Sequence, residues 1–170
     1  MLDGVAKRPM IVVQSCKIAL VAATALFFTC VAFGNITDYD TNWQFVRHVL
    51  SMDTTFPDSK LHWRAITDVT IQQVAYWLII GTQAVTAGML WLGTLRLLAK
   101  IGSDKFAQAR APAIVGLTAG LLLYVAGFVT IGGEWFAMWQ SAIWNGQQKA
   151  FEFITMFGVV LIVVLLPEDR

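Results

Sequence analysis

Residues 33–68 read FGNITDYDTNWQFVRHVLSMDTTFPDSKLHWRAITD and separate two strongly apolar segments of the chain. The stretch holds both histidines, five of the eleven acidic residues and two of the seven tryptophans. Mixed aromatic and charged sequence between apolar segments is typical of a membrane–water interface. We therefore expect a folded cap at one membrane surface, held by helices that cross the membrane on either side of it.

The composition of the whole chain agrees with a membrane protein. Of 170 residues, 57% are hydrophobic and only 14% are charged, against roughly 25% charged in soluble domains. The net charge is +1 and no run of Lys and Arg is present, so nothing indicates a nucleic-acid partner. No linker or low-complexity stretch divides residues 1–170, which predicts a single membrane domain.

Four apolar segments have about the 20 residues needed to cross roughly 30 Å of hydrocarbon. They cover residues 10–33, 74–98, 113–131 and 148–166, with Pro112 before the third and Pro167 after the fourth. Lys17 lies near the start of the first segment, and its charge is expected to reach the headgroups along its methylene chain. The predicted fold class is an all-α polytopic bundle of four transmembrane helices.

The distribution of basic residues predicts the orientation, because cytoplasmic loops carry more Lys and Arg. With the N-terminus inside, the cytoplasmic side has eight of them: Lys7, Arg8, Lys17, Arg96, Lys100, Lys105, Arg110 and Arg170. The other side has four: Arg47, Lys60, Arg64 and Lys149. Both termini are therefore expected in the cytoplasm, with residues 34–73 and 132–147 forming an extracytoplasmic cap.

Short interfacial helices are expected in this cap. Apolar residues at 43, 46 and 50 recur at helical spacing, with Thr41 or Asn42 as the N-cap, which predicts an amphipathic helix in the interface plane. After Pro57, a second helix capped by residues 58–59 is expected to run through residues 63–66 into the second span. The other connection carries tryptophans at 135, 139 and 144, and we expect the two connections to join into one lid.

Glycines in the spans predict close helix packing, because small residues let helix backbones approach in lipid. Gly116, Gly120 and Gly127 share a face of the third span, and Gly81 and Gly88 share a face of the second. Packing between these two spans is the main interpretation, and contact with a second copy is the alternative. Gln83, near the middle of the second span, is expected to form a hydrogen bond across the bundle.

No catalytic motif is recognisable, so no enzymatic activity is predicted. A metal held by His48, Asp53 and Glu134 is conceivable, but their spacing matches no ligand pattern, and hydrogen bonding at the interface is the preferred role of His48. Glu152, one turn into the fourth span, is expected to pair with Arg47 or Arg64 and so tie the cap to the bundle. No cofactor or metal is predicted.

Cys16 and Cys30 both fall in the first span, fourteen residues apart. Along one helix they are separated by about 21 Å, too far for a disulfide between them. They are therefore expected to act as small apolar residues in helix packing.

Several strings resemble a bacterial family of predicted small integral membrane proteins, the domain of unknown function numbered 2165 (DUF2165). They are NITDY at 35–39, FVRHVLSMDTTFP at 45–57, WRAI at 63–66, TIGGEWFAMWQS at 130–141 and WNGQQ at 144–148. The resemblance runs in order along nearly the whole chain. It implies four spans and a bacterial inner membrane, and it brings no catalytic residue to this sequence.

Two functions fit these observations. The first is an accessory subunit or scaffold, self-associating or joined to a larger inner-membrane complex through its aromatic cap and glycine-rich helix faces. The alternative is a binder of a lipid, quinone or other amphipathic molecule between cap and bundle. A transport path is disfavoured by the few ionisable groups in the spans. The candidate ligand or partner surface consists of Trp43, Arg47, His48, Asp53, Arg64, Glu134, Trp135, Trp139 and Glu152.

Overall fold

The computed structural model describes residues 3–168 of the chain, and the side chains of residues 10–168. Within that range every regular element is helical, which confirms the all-α fold class. The helices are α1 (Asp3–Thr37), α2 (Tyr39–Ser51), α3 (Val69–Leu98), α4 (Phe106–Ala109), α5 (Ala111–Leu122) and α6 (Gln147–Leu165). A π-helical stretch, Leu123–Trp135, continues α5 and is called the π segment; 3₁₀ turns lie at His62–Arg64 and Met138–Gln140. The basic residues Lys7, Arg8 and Arg170 used for the orientation lie outside the described side chains.

Four helical stretches are long and apolar enough to cross a membrane, which confirms the predicted number of spans: Met10–Thr37, Val69–Leu98, Phe106–Trp135 and Gln147–Leu165. The first three extend about one helical turn further toward the cap than the hydropathy indicated. Asp68 explains the start of α3, because its Oδ1 accepts hydrogen bonds from the N–H groups of Thr70 (2.8 Å) and Ile71 (3.0 Å). This side-chain cap satisfies the first free donors of the helix.

The four spans close into a ring, since α1 packs on α3, α3 on α5, α5 on α6 and α6 on α1. An aromatic cluster fills the centre where α1, the π segment and α6 meet. Phe28 lies 4.9 Å from Phe157 between ring centroids, and Tyr124 lies 5.0 Å from Phe153. Aromatic packing therefore closes the bundle where α6 meets α1 and the π segment.

Close backbone contact between α3 and α5 depends on Gly93. A Cβ at this position would lie 2.7 Å from the Ala113 nitrogen and 2.8 Å from its Cα. Gly116 and Gly120 also face other helices, where a Cβ would meet Leu90 (2.8 Å) and Phe28 (2.6 Å) respectively. These two glycines lie where the sequence placed them, at contacts within the bundle.

Packing within the bundle does not occur at the glycines predicted for the second span. No atom lies within 4 Å of a Cβ built at Gly81 or Gly88, and both residues are exposed. Gly127 meets only the side chain of Leu123 from its own helix. Gly81 and Gly88 share one face of α3, as their spacing predicted, but this face points away from α5.

The π segment differs from the ordinary helix expected for the third span. The Thr130 hydroxyl donates to the Val125 carbonyl (2.9 Å) and the Phe136 N–H donates to the Ile131 carbonyl (3.0 Å), both over five residues. Gly132 and Gly133, assigned from sequence to the connection, lie inside this segment. π-Helical turns are rare and occur frequently at functional sites, which draws attention to the space around it.

The amphipathic helix α2 is present, with Trp43, Val46, Val49 and Leu50 buried on one face. It begins at Tyr39 rather than after the predicted caps, and the Thr41 hydroxyl donates instead to the Asp38 carboxylate (2.8 Å). The second predicted helix is reduced to the 3₁₀ turn His62–Arg64. The chain there is held against α2 instead, because the Ile66 N–H donates to the Leu50 carbonyl at 2.8 Å.

The two long connections join into one structure, as expected, and residues 38–68 and 136–146 are together called the cap. The Thr54 and Ser141 hydroxyls lie 2.9 Å apart, and the Phe56 N–H donates to Gln140 Oε1 at 3.2 Å. Phe136, Ala137 and Met138 are buried in the same apolar cluster as α2. The cap is therefore a packed layer over one end of the bundle.

Lysine and arginine side chains hold the helices together at the end of the bundle opposite the cap. Lys17 is only 2% exposed, and its Nζ donates to Glu168 Oε1 (2.6 Å) and to the Leu166 carbonyl. Arg110 donates to the carbonyls of Val164 (2.8 Å) and Leu166 (2.9 Å). Lys17 therefore has partners inside the protein that the sequence did not predict, namely a free carbonyl at the end of α6 and the Glu168 carboxylate.

Candidate functional site

The larger of two cavities beneath the cap has a volume of about 420 Å³, within the range of small-molecule sites. Residues of α1, α2, α3, the π segment and α6 surround it. Its apolar walls include Ile79, Phe128 and Phe153. Polar side chains also line it: Asn35, Asn42, Tyr76, Gln83, Tyr124, Asn145 and Lys149. The cavity therefore offers polar and apolar surface together.

A buried hydrogen-bonded group forms one wall of this cavity. Asn35 Nδ2 donates to Gln83 Oε1 at 2.7 Å, and the Tyr76 hydroxyl donates to the Asn35 carbonyl at 3.2 Å. The bond from α1 to α3 is the cross-bundle hydrogen bond predicted for Gln83. Because all three residues are buried, this group holds the cavity wall in a fixed geometry.

Two polar groups at this cavity lack a partner in the described part of the chain. Gln83 uses its Oε1 in the bond to Asn35, and no described residue accepts a hydrogen bond from its Nε2. The Tyr124 hydroxyl likewise bonds to no described residue, although Tyr124 is only 4% exposed. Both residues line the cavity, so these two groups are available to form hydrogen bonds with a molecule bound there.

A smaller apolar cavity of about 220 Å³ lies next to the first. It is bounded by α2, α3 and the π segment, including Val49, Ala75 and Leu78, and by Phe136 and Met138 of the cap. Four residues border both cavities: Phe45, Val46, Ile79 and Phe128. The pair therefore provides adjoining polar and apolar compartments.

None of the nine residues proposed from sequence as a ligand surface lines either cavity. Trp43 is buried against Tyr39 and Tyr76, so its ring is not available to a partner. Arg47 and Glu134 are exposed. Trp139 is half-exposed and packs edge-on against Phe56, with 5.9 Å between the ring centroids.

His48 and Asp53 are brought together without a third ligand. His48 Nδ1 lies 2.8 Å from Asp53 Oδ2, and the imidazole stacks on Trp144 with 4.8 Å between ring centroids. Among residues 10–168 no group of three or more His, Cys, Asp or Glu side chains is arranged to hold a metal. Since Trp144 lines the larger cavity, the His48–Asp53 pair supports the cavity wall from behind.

The predicted ion pair between Glu152 and a cap arginine is wrong. Glu152 pairs with Lys149, three residues earlier on α6, at 2.7 Å and largely in the open. Arg64 instead lies over the Trp135 ring, 4.6 Å from its centroid, and donates to the Trp135 carbonyl at 3.2 Å. A cation–aromatic contact thus joins the cap to the end of the π segment, and the nearer lysine satisfies the Glu152 carboxylate.

Sequence reasoning missed most of the cavity residues. Asn35 carried a usable signal, because it is the second amide residue in the spans that can face Gln83 across the bundle. Its position was assigned to the cap, since α1 was expected to end before it. The apolar lining residues have no distinctive signal, because phenylalanine and isoleucine are common throughout the spans.

These features define an all-helical, four-span membrane protein with a packed cap and a partly polar cavity beneath it. The chain belongs to the family described as predicted small integral membrane protein (DUF2165), whose model matches residues 13–167. Comparison with curated proteins and with solved structures finds no match.

Proposed function

We propose that this protein binds an amphipathic molecule, a membrane lipid or a quinone, in the two cavities between cap and bundle. The observation that carries the proposal is the unpartnered Gln83 amide and Tyr124 hydroxyl at a cavity that adjoins an apolar one. A polar headgroup or ring carbonyl would accept hydrogen bonds from these groups. The hydrocarbon portion would lie between α3 and the π segment.

The architecture supports this assignment in two further ways. The apolar cavity reaches exposed parts of α3 such as Leu78, so a chain can enter from the lipid without crossing polar surface. The π segment supplies Gly127 and Gly132 to the cavity wall, where larger side chains would take up the space. We place the cap on the extracytoplasmic side, as the basic-residue distribution predicts, in the bacterial inner membrane that the family resemblance implies.

Filling the apolar cavity is expected to displace the ligand. Ala75 is half-buried and lines this cavity, so Ala75→Leu would occupy the space of the bound chain. The co-purifying lipid or quinone, identified by mass spectrometry after extraction from protein in mild detergent, should fall about tenfold, equivalent to about 1.4 kcal/mol of binding free energy.

Ala23→Leu is the matched control, because Ala23 is exposed on α1 and borders neither cavity. Gln83→Leu forms the second arm, since it removes the amide and should weaken retention of the same molecule. Equal ligand content in Ala75→Leu, Gln83→Leu and the unaltered protein would contradict the proposal. Absence of any stoichiometric lipid or quinone from the unaltered protein would do the same.

A second candidate function is assembly with copies of the same chain, as a scaffold or accessory subunit. Gly81 and Gly88 support it, because both are exposed on α3 with no atom within 4 Å of a Cβ. In lipid such a glycine face favours close approach of another helix. The exposed cap tryptophans Trp63 and Trp139 offer further surface.

Gly88→Leu is expected to reduce self-association, because a branched side chain would separate the two helix backbones. The mass of the protein–detergent complex, measured by light scattering or native mass spectrometry, should fall to that of the monomer. Ala23→Leu again serves as the control and should leave the mass unchanged. A monomeric unaltered protein would rule out this assembly in detergent.

A further inference from the structure

A third cavity lies at the end of the bundle away from the cap. It has a volume of about 300 Å³ and is formed where α3 ends and α4 begins. Arg96, Lys100 and Lys105 border it, together with Ala99, Gln108 and Ala109. The 30 residues of α3 place it roughly 45 Å from the cap. It is therefore independent of the cavities of the proposed function.

The three cations at this cavity form no ion pair with any described residue. Asp104, in the same connection, is exposed and pairs with none of them. The contrast with Lys17 and Arg110 at the same end is informative, because Glu168 and backbone carbonyls satisfy those two. Positive charge is thus concentrated in a concave surface to which the described residues supply no paired counter-charge.

The surface changes from cationic to apolar within one helical turn. Leu92 and Leu95 lie four residues before Arg96 and Ala99 on α3, on the same helix face and toward the bundle centre. Both leucines are exposed, so they contact hydrocarbon in a membrane. A basic concavity directly beside lipid-facing leucines matches a phosphate headgroup joined to acyl chains.

We propose that this cavity binds the phosphate group of an anionic phospholipid, whose acyl chains lie along Leu92 and Leu95. Arg96 presents a planar fork of donors to the phosphate oxygens, and Lys100 and Lys105 add charge. Basic pockets at the ends of transmembrane helices attract anionic headgroups in this way. Free inorganic phosphate carries the same anionic group as a phospholipid headgroup. The adjoining leucines assign a lipid as the source of the phosphate group.

The test compares two double variants that remove the same residue types from opposite ends. Arg96→Gln/Lys100→Gln alters the cavity, whereas Arg47→Gln/Lys60→Gln removes an exposed arginine and lysine from the cap. Each protein is titrated in mild detergent with phosphatidylglycerol, phosphatidylcholine or inorganic phosphate. Binding is followed by native mass spectrometry and by the midpoint of thermal unfolding.

Phosphatidylglycerol should bind and stabilise the unaltered protein and the cap variant, while phosphatidylcholine should have little effect. For Arg96→Gln/Lys100→Gln the dissociation constant should rise roughly 30-fold, from about 1 kcal/mol for each of two charges. Lys105→Gln alone should weaken binding roughly fivefold by the same reasoning and serves if the double variant does not fold.

Three results would overturn the proposal. The first is equal affinity for phosphatidylglycerol in the two double variants, which would place the lipid elsewhere. Equal binding of phosphatidylcholine would remove the role of charge. Inorganic phosphate reproducing the full stabilisation would show a site for a free anion rather than a lipid.

Discussion

Replacing Gly93 with alanine is expected to disrupt the packing of α3 against α5. The added Cβ would lie 2.7 to 2.8 Å from the nitrogen, Cα and Cβ of Ala113, and backbone atoms cannot move aside as a flexible side chain can. Overpacking a well-filled contact typically costs about 1–3 kcal/mol. We expect the upper end of that range, because the clash is with the facing helix itself.

Gly158→Ala provides the matched control, since it adds the same methyl group to a span where nothing lies within 4 Å. It should leave stability unchanged or raise it by up to about 1 kcal/mol through helix propensity. Unfolding by heat in detergent micelles, followed by far-ultraviolet circular dichroism, measures both. If Gly93→Ala unfolded at the same temperature as Gly158→Ala, the close contact between α3 and α5 would be refuted.

Replacing Lys17 with methionine is expected to destabilise the end of the bundle opposite the cap. Its side chain is 2% exposed, and its ammonium bonds to the Glu168 carboxylate at 2.6 Å. Removing one partner of a buried ion pair leaves the other without compensation and typically costs about 3–5 kcal/mol. Arg110 lies 3.8 Å from the same Glu168 oxygen, so we expect the lower part of this range.

The double variant Lys17→Met/Glu168→Gln should recover part of the loss, because it removes both charges together. Lys149→Met is the control, since the exposed Lys149–Glu152 pair is worth only about 0.2–1 kcal/mol. The free energy of unfolding is measured by detergent titration for the unaltered protein and for each of the three variants. Equal losses for Lys17→Met and Lys149→Met would show that the first pair is not buried in the folded protein.

The spans were predictable because hydropathy adds up along the chain and each span satisfies its backbone hydrogen bonds internally. Their ends were less predictable, since polar residues at the membrane surface can continue a helix. Asn35 and Thr37 still belong to α1, and α3 starts early because Asp68 caps it. Composition does not reveal this, because a side-chain cap depends on local geometry.

Within the cap, the pattern at residues 43, 46 and 50 correctly predicted a helix with one buried face. Pairing of charges was predicted wrongly, because Glu152 has a lysine one turn away on its own helix and Arg64 lies against the rings of Trp63 and Trp135. The partner of Lys17 was not predicted either, since Glu168 is distant in sequence and becomes close only when α1 and α6 pack. Charge pairs depend on distances of a few ångströms, which the chain order does not provide.

The candidate site was likewise predicted only in part from the sequence. Gln83 was singled out from sequence as a polar group among apolar residues, and its bond to Asn35 lies at the wall of the larger cavity. The aromatic and charged residues expected to form the ligand surface line neither cavity. One of them instead joins the two parts of the cap, since the imidazole of His48 stacks on Trp144.

Four membrane-crossing helices and a lid made of two aromatic-rich connections follow from the residues alone, because apolar length and helical periodicity are local properties that survive without knowledge of neighbours. The cavities, the π segment, the outward turn of Gly81 and Gly88 and the buried Lys17 pair arise only when the helices pack. Each depends on side chains from segments far apart in the chain, and a shift of one helix by a few ångströms would remove it.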